Sequence, residues 1–213
     1  MTFAAASSTI SLPQPRQPVR LYRMALSGHC HRVELFLSLL GLPYELIEVD
    51  LAGGEHKRPA FLQLNPFGQV PVLFDSNAIL VYLANRHAPD TWLPRDPLGA
   101  ARVQAWLSAA AGPLAHGAAA ARVILLFKRP QDPAPAQAQA VKLLEVMTDS
   151  LARQPFLAGD SPTLADVALY SYTAAAPEGG VDLSAWPGVR DWLARIEALP
   201  GFVPMPRQRA AQP

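Results

Sequence analysis

Most of the information about the fold lies in one stretch of the chain, Asn65-Pro66-Phe67-Gly68-Gln69-Val70-Pro71-Val72-Leu73-Phe74-Asp75-Ser76-Asn77-Ala78-Ile79. Its beginning disfavours a helix, because residues before proline avoid helical dihedral angles and glycine is typical of turns. The apolar run from Val70 to Phe74 predicts a short buried strand, and the pattern that begins at Ser76 predicts a helix to His87.

Pro71 stands near the beginning of the predicted strand, which is one of the few positions where a sheet accepts a residue without a backbone N–H. If the bond between Val70 and Pro71 is cis, the backbone N–H and C=O of Val70 point outward, where an extended peptide can pair with them. Cis bonds occur almost exclusively before proline but are a minority even there, so these residues alone do not establish that geometry.

The composition excludes several functional classes. The chain has 213 residues, enough for one large or two small domains, and its net charge of +1 gives no electrostatic footprint for nucleic acid or an anionic membrane. There is no run of 18 apolar residues, so no membrane span is expected. The beginning of the chain lacks the features of a signal peptide, so a cytoplasmic location is expected. The lone Cys30 excludes an intramolecular disulfide and a multi-cysteine zinc site, and we expect no metal.

The order of elements predicts two different halves. Alternating patterns at Val19–Met24 and Tyr44–Val49 predict strands, with a helix between them that ends at Gly41. This strand–helix–strand order is typical of a buried parallel pair. A short helical piece, Pro59–Leu64, follows it.

Strand patterns stop at about Leu98. Helices are predicted at Ala100–Phe127 with a kink at Gly112-Pro113, at Ala136–Arg153, from Thr163 to Ala175, and at Pro187–Leu199. Thr163–Asp166 resembles a capping box in which Asp takes the usual place of Glu or Gln.

Residues 68–73 and 75–83 resemble the glutathione-binding signature of the cytosolic glutathione transferases, in a bacterial, serine-type or related class. This resemblance implies an α/β thioredoxin-like N-terminal domain followed by an all-α C-terminal domain. The implied organisation is a loosely docked or disordered tail (1–18), a glutathione-binding domain (19–87), a linker (88–97), a helical domain (98–202) and a second tail (203–213).

The resemblance also implies how glutathione is bound. In that family the residue before the cis-proline pairs through its backbone with the cysteinyl unit. Val70 and Pro71 match this pattern, so the resemblance predicts a cis bond between them. Asp75 and Ser76 match the acidic residue and serine that hold the γ-glutamyl end. For the glycyl carboxylate of glutathione, the resemblance points to Gln69 and to the loop that contains His56 and Lys57.

Three residues at the beginning of the first helix are candidates for activating the thiol. Ser27 falls where serine-type members keep their thiolate-stabilising hydroxyl, and Cys30 would serve a mixed-disulfide mechanism. His29 occupies the position of the cysteine in the cysteine-type class, from which this sequence departs. A helix N-terminus lowers the pKa of a nearby thiol. Ser27, His29 and Cys30 all lie at this N-terminus, so each of them remains a candidate.

The expected function is transfer of the glutathione thiol to a small apolar electrophile, with detoxification as the usual role and a homodimer as the usual assembly. The alternatives are a glutathione-dependent disulfide reductase that uses Cys30, or a binding module without turnover. The electrophile pocket is expected between the two halves. Its candidate residues are Trp106, Ala110, Pro113 and His116, with Tyr170 or Tyr172.

One connection departs from the family. Only four residues separate Pro71 from Ser76, fewer than a completed strand, a turn and a returning strand require. At ~3.3 Å per residue the predicted strand carries the chain away from Pro71, so Ser76 is expected to lie too far away to share one tripeptide. Either the returning strand is absent and the γ-glutamyl half of the site is displaced, or the natural chain has a turn and strand here that this sequence lacks.

Overall fold

The computed structural model describes residue 15 and residues 17–72, 75–88 and 90–206. The first half begins with strand β1 (Val19–Arg23), helix α1 (Gly28–Leu39) and strand β2 (Tyr44–Glu48). The two strands pair in parallel, from Val19 opposite Tyr44 to Arg23 opposite Glu48, as the sequence predicts. Helix α1 ends where Gly41 takes a left-handed φ of 64°, a conformation that glycine adopts at little cost.

A 3₁₀ turn at Glu55–Lys57 and helix α2 (Pro59–Leu64) lead to the cis bond between Val70 and Pro71, which confirms that prediction. The predicted strand Val70–Phe74 is wrong over its described part, since residues 70–72 form bends and pair with no strand. An apolar run becomes a strand only where a neighbouring chain segment completes the ladder of hydrogen bonds. Residues 73 and 74 lie outside the described residues. Helix α3 (Ser76–His87) follows as predicted.

The second half is helical throughout its described part. Helix α4 (Pro97–Ala109), a π-helical segment (Ala110–Ala119) and helix α5 (Ala120–Leu126) form one run of 30 residues, Pro97–Leu126. The wide π turns accommodate Pro113, whose missing N–H interrupts an α-helical ladder. The run is therefore continuous where the sequence predicts a kink or break.

By length and composition alone this run passes the test for a membrane-spanning helix, which the sequence analysis did not expect. The same test is passed by core helices of soluble proteins, so a single such helix is weak evidence. Here the run packs against helix α6 (Ala134–Leu151) and helix α7 (Leu164–Ala174), and Val103, Ala110 and Leu114 are completely or almost completely buried.

The predicted capping box begins α7. The Thr163 N–H donates to Oδ2 of Asp166 (2.8 Å), and the Ala165 N–H donates to the Thr163 hydroxyl (3.2 Å). Oδ1 of Asp166 also accepts from the Leu157 N–H (2.9 Å) and from the Trp192 indole (2.8 Å) of helix α8 (Pro187–Glu197). One buried carboxylate therefore joins a turn and two helices.

A single hydrophobic core crosses both halves, with Phe36 of α1, Leu80 of α3, Val103 of α4 and Leu169 of α7 all inaccessible to solvent. The fold is a thioredoxin-like half followed by an all-helical half, as the sequence predicts. The five segment boundaries stay predictions. Most of the predicted tail 1–18, and residues 207–213 of the second tail, lie outside the described residues.

Candidate functional site

The beginning of α1 forms one wall of a cavity of about 490 Å³. Ser27 is the N-cap residue, and its hydroxyl accepts from the Cys30 N–H at 3.3 Å. The next residue is glycine for a steric reason, since a Cβ atom at Gly28 would lie 2.7 Å from a ring carbon of Tyr172. The His29 ring packs edge-on against the same tyrosine, with 5.1 Å between centroids. The N-terminus of α1, Ser27 and Tyr172 thus meet in the cavity.

The turn before Pro71 forms the second wall. The buried Asn65 side chain donates to the Gln69 carbonyl (3.0 Å) and accepts from the Phe67 N–H (3.0 Å). Gly68 has a φ of 57°, and a Cβ there would lie 2.7 Å from the carbonyl oxygen of His56. Among the described residues the backbone N–H and C=O of Val70 have no hydrogen-bond partner. Both groups are therefore open to an extended ligand.

The beginning of α3 forms the third wall. Asp75 is the N-cap, and its exposed carboxylate accepts from the Asn77 N–H at 2.8 Å. Ser76 is 2% exposed and lines the cavity, where Nη1 of Arg32 donates to its hydroxyl at 3.3 Å. The expected separation of Ser76 from Pro71 is wrong, because both residues line one cavity. Residues 70–72 do not extend away from the site as a strand would, so the short connection does not displace the beginning of α3.

Two cationic or potentially cationic side chains lie at another edge of the cavity. Lys57 is exposed, and its ammonium donates to the Gly68 carbonyl at 3.4 Å. His56 is partly buried, and its Nδ1 has no hydrogen-bond partner among the described residues. His56, Lys57 and Gln69 all line the cavity, and their role in binding a carboxylate stays a prediction.

The helical half supplies the fourth wall, and sequence reasoning missed most of it. Arg122 is almost fully buried; its Nε donates to Glu178 (2.8 Å) and its Nη1 to the Leu26 carbonyl (2.7 Å). It therefore ties the loop before Ser27 to α5. Val123 and Phe127, which are 37% and 43% exposed, give the cavity an apolar face. The only signal in the sequence is a single arginine within an apolar, alanine-rich helix.

Most residues predicted to line the electrophile pocket lie outside the cavity at the beginning of α1. Trp106 and Pro113 line a separate groove between α4 and α6, and Ala110 is core. The exposed His116 ring bonds the Gly112 carbonyl at 3.0 Å, and Tyr170 donates to Glu197 at 2.9 Å. The predicted placement of Trp106 and His116 is wrong, because periodicity does not say which helical face meets the other half. Of this set, Tyr172 alone lines the cavity.

Cys30 is also outside the cavity. Its side chain is 1% exposed, and burial raises the pKa of its thiol despite the opposing effect of the Ser27 side chain. A mixed-disulfide mechanism needs an accessible thiolate. The structure therefore contradicts the expectation that Cys30 is available for such chemistry.

Two titratable side chains beside Ser27, those of His29 and Tyr172, are neutral at neutral pH. Burial, assisted by Arg32, lowers the pKa of His29 to about 4. Burial also raises the pKa of Tyr172, while Arg32, Arg122, the His29 amide and the Ser27 side chain act in the opposite direction. The arrangement offers two protonated hydroxyls and a helix N-terminus to an anion, which is the chemistry that a thiolate needs.

Comparison with known proteins identifies the two halves. Residues 26–86 match the family described as "Glutathione S-transferase, N-terminal domain", and residues 112–200 match "Glutathione S-transferase, C-terminal domain". Glutathione S-transferase 3 of Zea mays is 38% identical over 204 residues, covering 87% of this chain and 91% of the relative. Maleylacetoacetate isomerase of Pseudomonas aeruginosa is 34% identical, covering 86% and 93%. The crystal structure of a glutathione S-transferase from Pseudomonas fluorescens superposes with a TM-score of 0.82 at 37% identity, covering 87% and 98%.

Proposed function

This chain belongs to the glutathione S-transferase family and is an enzyme, and we propose that it adds the thiol of glutathione to a small apolar electrophile in the cavity at the beginning of α1. One observation carries the proposal. A single cavity contains a group for each part of glutathione: a hydroxyl at a helix N-terminus, an open peptide backbone, and charged groups at separate edges.

The tripeptide lies across these groups in one orientation. Its thiol approaches Ser27, and its cysteinyl backbone pairs with the open N–H and C=O of Val70. The γ-glutamyl end lies against Asp75 and Ser76. The glycyl carboxylate then reaches Lys57, His56 and Gln69 at the other edge.

Ser27 activates the thiol by stabilising its anion. The hydroxyl donates a hydrogen bond to the sulfur, and the partial positive charge at the N-terminus of α1 favours the anion further. Both effects lower the pKa of the thiol, whose proton leaves to solvent. The sulfur then attacks an electrophile that lies on the apolar face formed by Leu26, Val123 and Phe127. A C–S bond forms as a π bond of the electrophile opens and its far end takes a proton from solvent, or as a leaving group departs with the bonding electrons.

Two alanine variants test the assignment of Ser27. We expect Ser27→Ala to lower kcat/KM for conjugation at least tenfold, about 1.4 kcal/mol of transition-state stabilisation, and Cys30→Ala to retain conjugation. The reverse pattern would favour the disulfide reductase. Cys30→Ala is the matched control, because it removes a neighbouring thiol that does not face the cavity.

Retention on immobilised glutathione tests the proposal at the level of binding. The relatives are named as enzymes, which argues against a binding module without turnover. A chain that is neither retained nor stabilised by millimolar glutathione would contradict the proposed substrate.

Three further properties rest on the family alone. We infer a homodimer, a cytoplasmic location and a role in detoxification. Sedimentation equilibrium tests the first of these against the 23.0 kDa mass of one chain.

A further inference from the structure

Arg32 is a fully buried cation without a carboxylate partner. Its side chain is 0% exposed, and no ion pair among the described residues includes it. Nη1 donates to Oδ1 of Asn77 (2.8 Å) and to the Ser76 hydroxyl (3.3 Å). Nε and Nη2 have no hydrogen-bond partner in the described part of the chain. Burying an unpaired charge is costly, so this arrangement calls for a compensating anion.

The surroundings of Arg32 favour an anion at Ser76. Helices α1 and α3 both begin here, and the His29 ring lies 3.4 Å from the Ser76 hydroxyl. The positive ends of two helices and one guanidinium therefore surround the same hydroxyl. The nearby groups that carry or can acquire negative charge are the buried Tyr172 phenol, the exposed Asp75 carboxylate and the buried Cys30 thiol. Asp75 is also the N-cap of α3.

The orientation of the guanidinium is fixed. Nδ2 of Asn77 donates to the Leu107 carbonyl at 2.9 Å, which directs Oδ1 of Asn77 toward Arg32. Arg32 donates to the Ser76 oxygen, and the neutral His29 ring donates to the same oxygen at 3.4 Å when its proton is on Nδ1. In that tautomer the hydroxyl hydrogen of Ser76 can donate to a ligand in the cavity. Arg32 can therefore act on a bound anion through Ser76 without touching it.

We propose that Arg32 is the buried counter-charge for a carboxylate bound at Ser76, and that this carboxylate is the α-carboxylate of the γ-glutamyl unit of glutathione. The inference rests on the proposed function. The γ-glutamyl α-carbon carries an ammonium and a carboxylate side by side, which matches the exposed carboxylate of Asp75 beside the hydroxyl of Ser76. The glycyl carboxylate has no ammonium next to it and matches the edge with Lys57. Arg32 is thus a positioning residue for one end of the substrate.

Two ligands that differ in a single group test the inference. γ-Aminobutyryl-cysteinyl-glycine lacks only the γ-glutamyl α-carboxylate of glutathione and keeps its ammonium. We expect the wild-type protein to bind glutathione at least tenfold more tightly than this analogue in titration calorimetry, as for a lost hydrogen bond to a charged group. The monoethyl ester of glutathione at its glycyl carboxylate serves as the control ligand.

Variants then assign this discrimination to a residue. In Arg32→Met we expect the preference for glutathione over the analogue to fall to about threefold or less, while the preference for glutathione over its ester is retained. Arg32→Lys keeps the charge and should retain part of the preference. Lys57→Met should show the opposite pattern, losing the preference over the ester only. Arg102→Met, on the surface of α4, controls for the loss of a positive charge at a distance.

The outcomes are separable. Equal losses of affinity for both ligands in Arg32→Met would show a merely structural role and overturn the inference. Equal binding of both ligands by the wild-type protein would overturn it without any variant, even if Arg32→Met fails to fold. A wild-type protein that binds neither glutathione nor its analogue would overturn the proposed function, and this inference with it.

Discussion

At the scale of single residues, the site depends on hydroxyl groups that burial keeps protonated. Tyr172 lies against Gly28 and lines the cavity beside Ser27, and burial raises the pKa of its phenol. A protonated phenol at this position can donate a second hydrogen bond to the sulfur anion. Two donors together lower the pKa of the thiol more than Ser27 alone.

Replacing Tyr172 by phenylalanine removes this donor and keeps the ring. We expect Tyr172→Phe to raise the pKa of bound glutathione and to lower kcat/KM about tenfold, since a hydrogen bond to a charged group contributes ~1.5–3 kcal/mol. The thiolate absorbance of the bound ligand, titrated against pH, measures the shift. Tyr170→Phe is the matched control, because that hydroxyl donates to Glu197 outside the cavity. Equal thiol pKa values in the two variants would contradict a role for the Tyr172 hydroxyl.

At the scale of elements, the site depends on how closely α1 approaches α7. The two helices pack together, and their contact near the cavity is the Tyr172 ring against the backbone of Gly28. The ring is buried and also contacts His29, so it has little room to move. The absence of a side chain at Gly28 therefore sets the distance between the helices.

Adding one methyl group at this contact should separate the helices. We expect Gly28→Ala to lower the free energy of unfolding by about 1–3 kcal/mol, as for overpacking of a tight interface, and to reduce conjugation as well. Gly112→Ala, with no atom within 4 Å of the added carbon, should be neutral or stabilising by up to ~1 kcal/mol. Denaturant unfolding of both variants measures the difference. Similar free energies in the two variants would show that the ring moves aside freely.

At the scale of the whole molecule, buried polar contacts join the two halves. His31 of α1 accepts from the Ser171 hydroxyl of α7 at 2.9 Å when its Nε2–H donates to the Val203 carbonyl at 3.0 Å. The ring is 1% exposed, and burial lowers its pKa to about 4. Acceptance at Nδ1 requires the neutral ring, whereas the bond to the Val203 carbonyl survives protonation and favours the charged form. Burial outweighs that bond, so protonation of His31 opposes the packing of α1 against α7.

This contact makes the stability of the fold depend on pH. The folded-state pKa of His31 is about 4, against an ordinary pKa of 6.5 for histidine, so the unfolded chain takes up a proton first as the pH falls. The contribution of His31 is present above pH 6.5 and is lost between pH 6.5 and 4, at up to ~1.4 kcal/mol per pH unit. His29 adds to this slope through the same shift.

Unfolding free energies at several pH values between 7 and 4 test this prediction. We expect His31→Gln to flatten the dependence, while His116→Gln, on the surface of the π-helical segment, should keep the wild-type slope. An unchanged slope in His31→Gln would show that His31 is not the group that titrates.

The sequence by itself determined the features that depend on neighbouring residues along the chain. The parallel strands and helices α1, α3 and α6–α8 follow from local periodicity, and the capping box at Thr163 and Asp166 from residue types three positions apart. The cis bond before Pro71 was predicted by the resemblance to a family motif, whereas the approach of Ser76 to Val70 in one cavity contradicts the separation expected from the short connection. The periodicity and the capping box are local signals, so no knowledge of the packing was needed to find them.

Only the tertiary structure decided which faces meet. The apolar run after Val70 forms no strand in its described part because no neighbouring segment completes a ladder there. Spacing favoured Trp106 for the cavity, with Tyr172 only a further possibility, yet Tyr172 lines the cavity and Trp106 lines a separate groove. The packing between helices sets which face of each helix meets the other half. The roles of Arg32 and Arg122 depend on partners 44 and 96 positions away in the chain. A buried charge acquires its function from groups that folding brings near it, and linear spacing does not encode that distance.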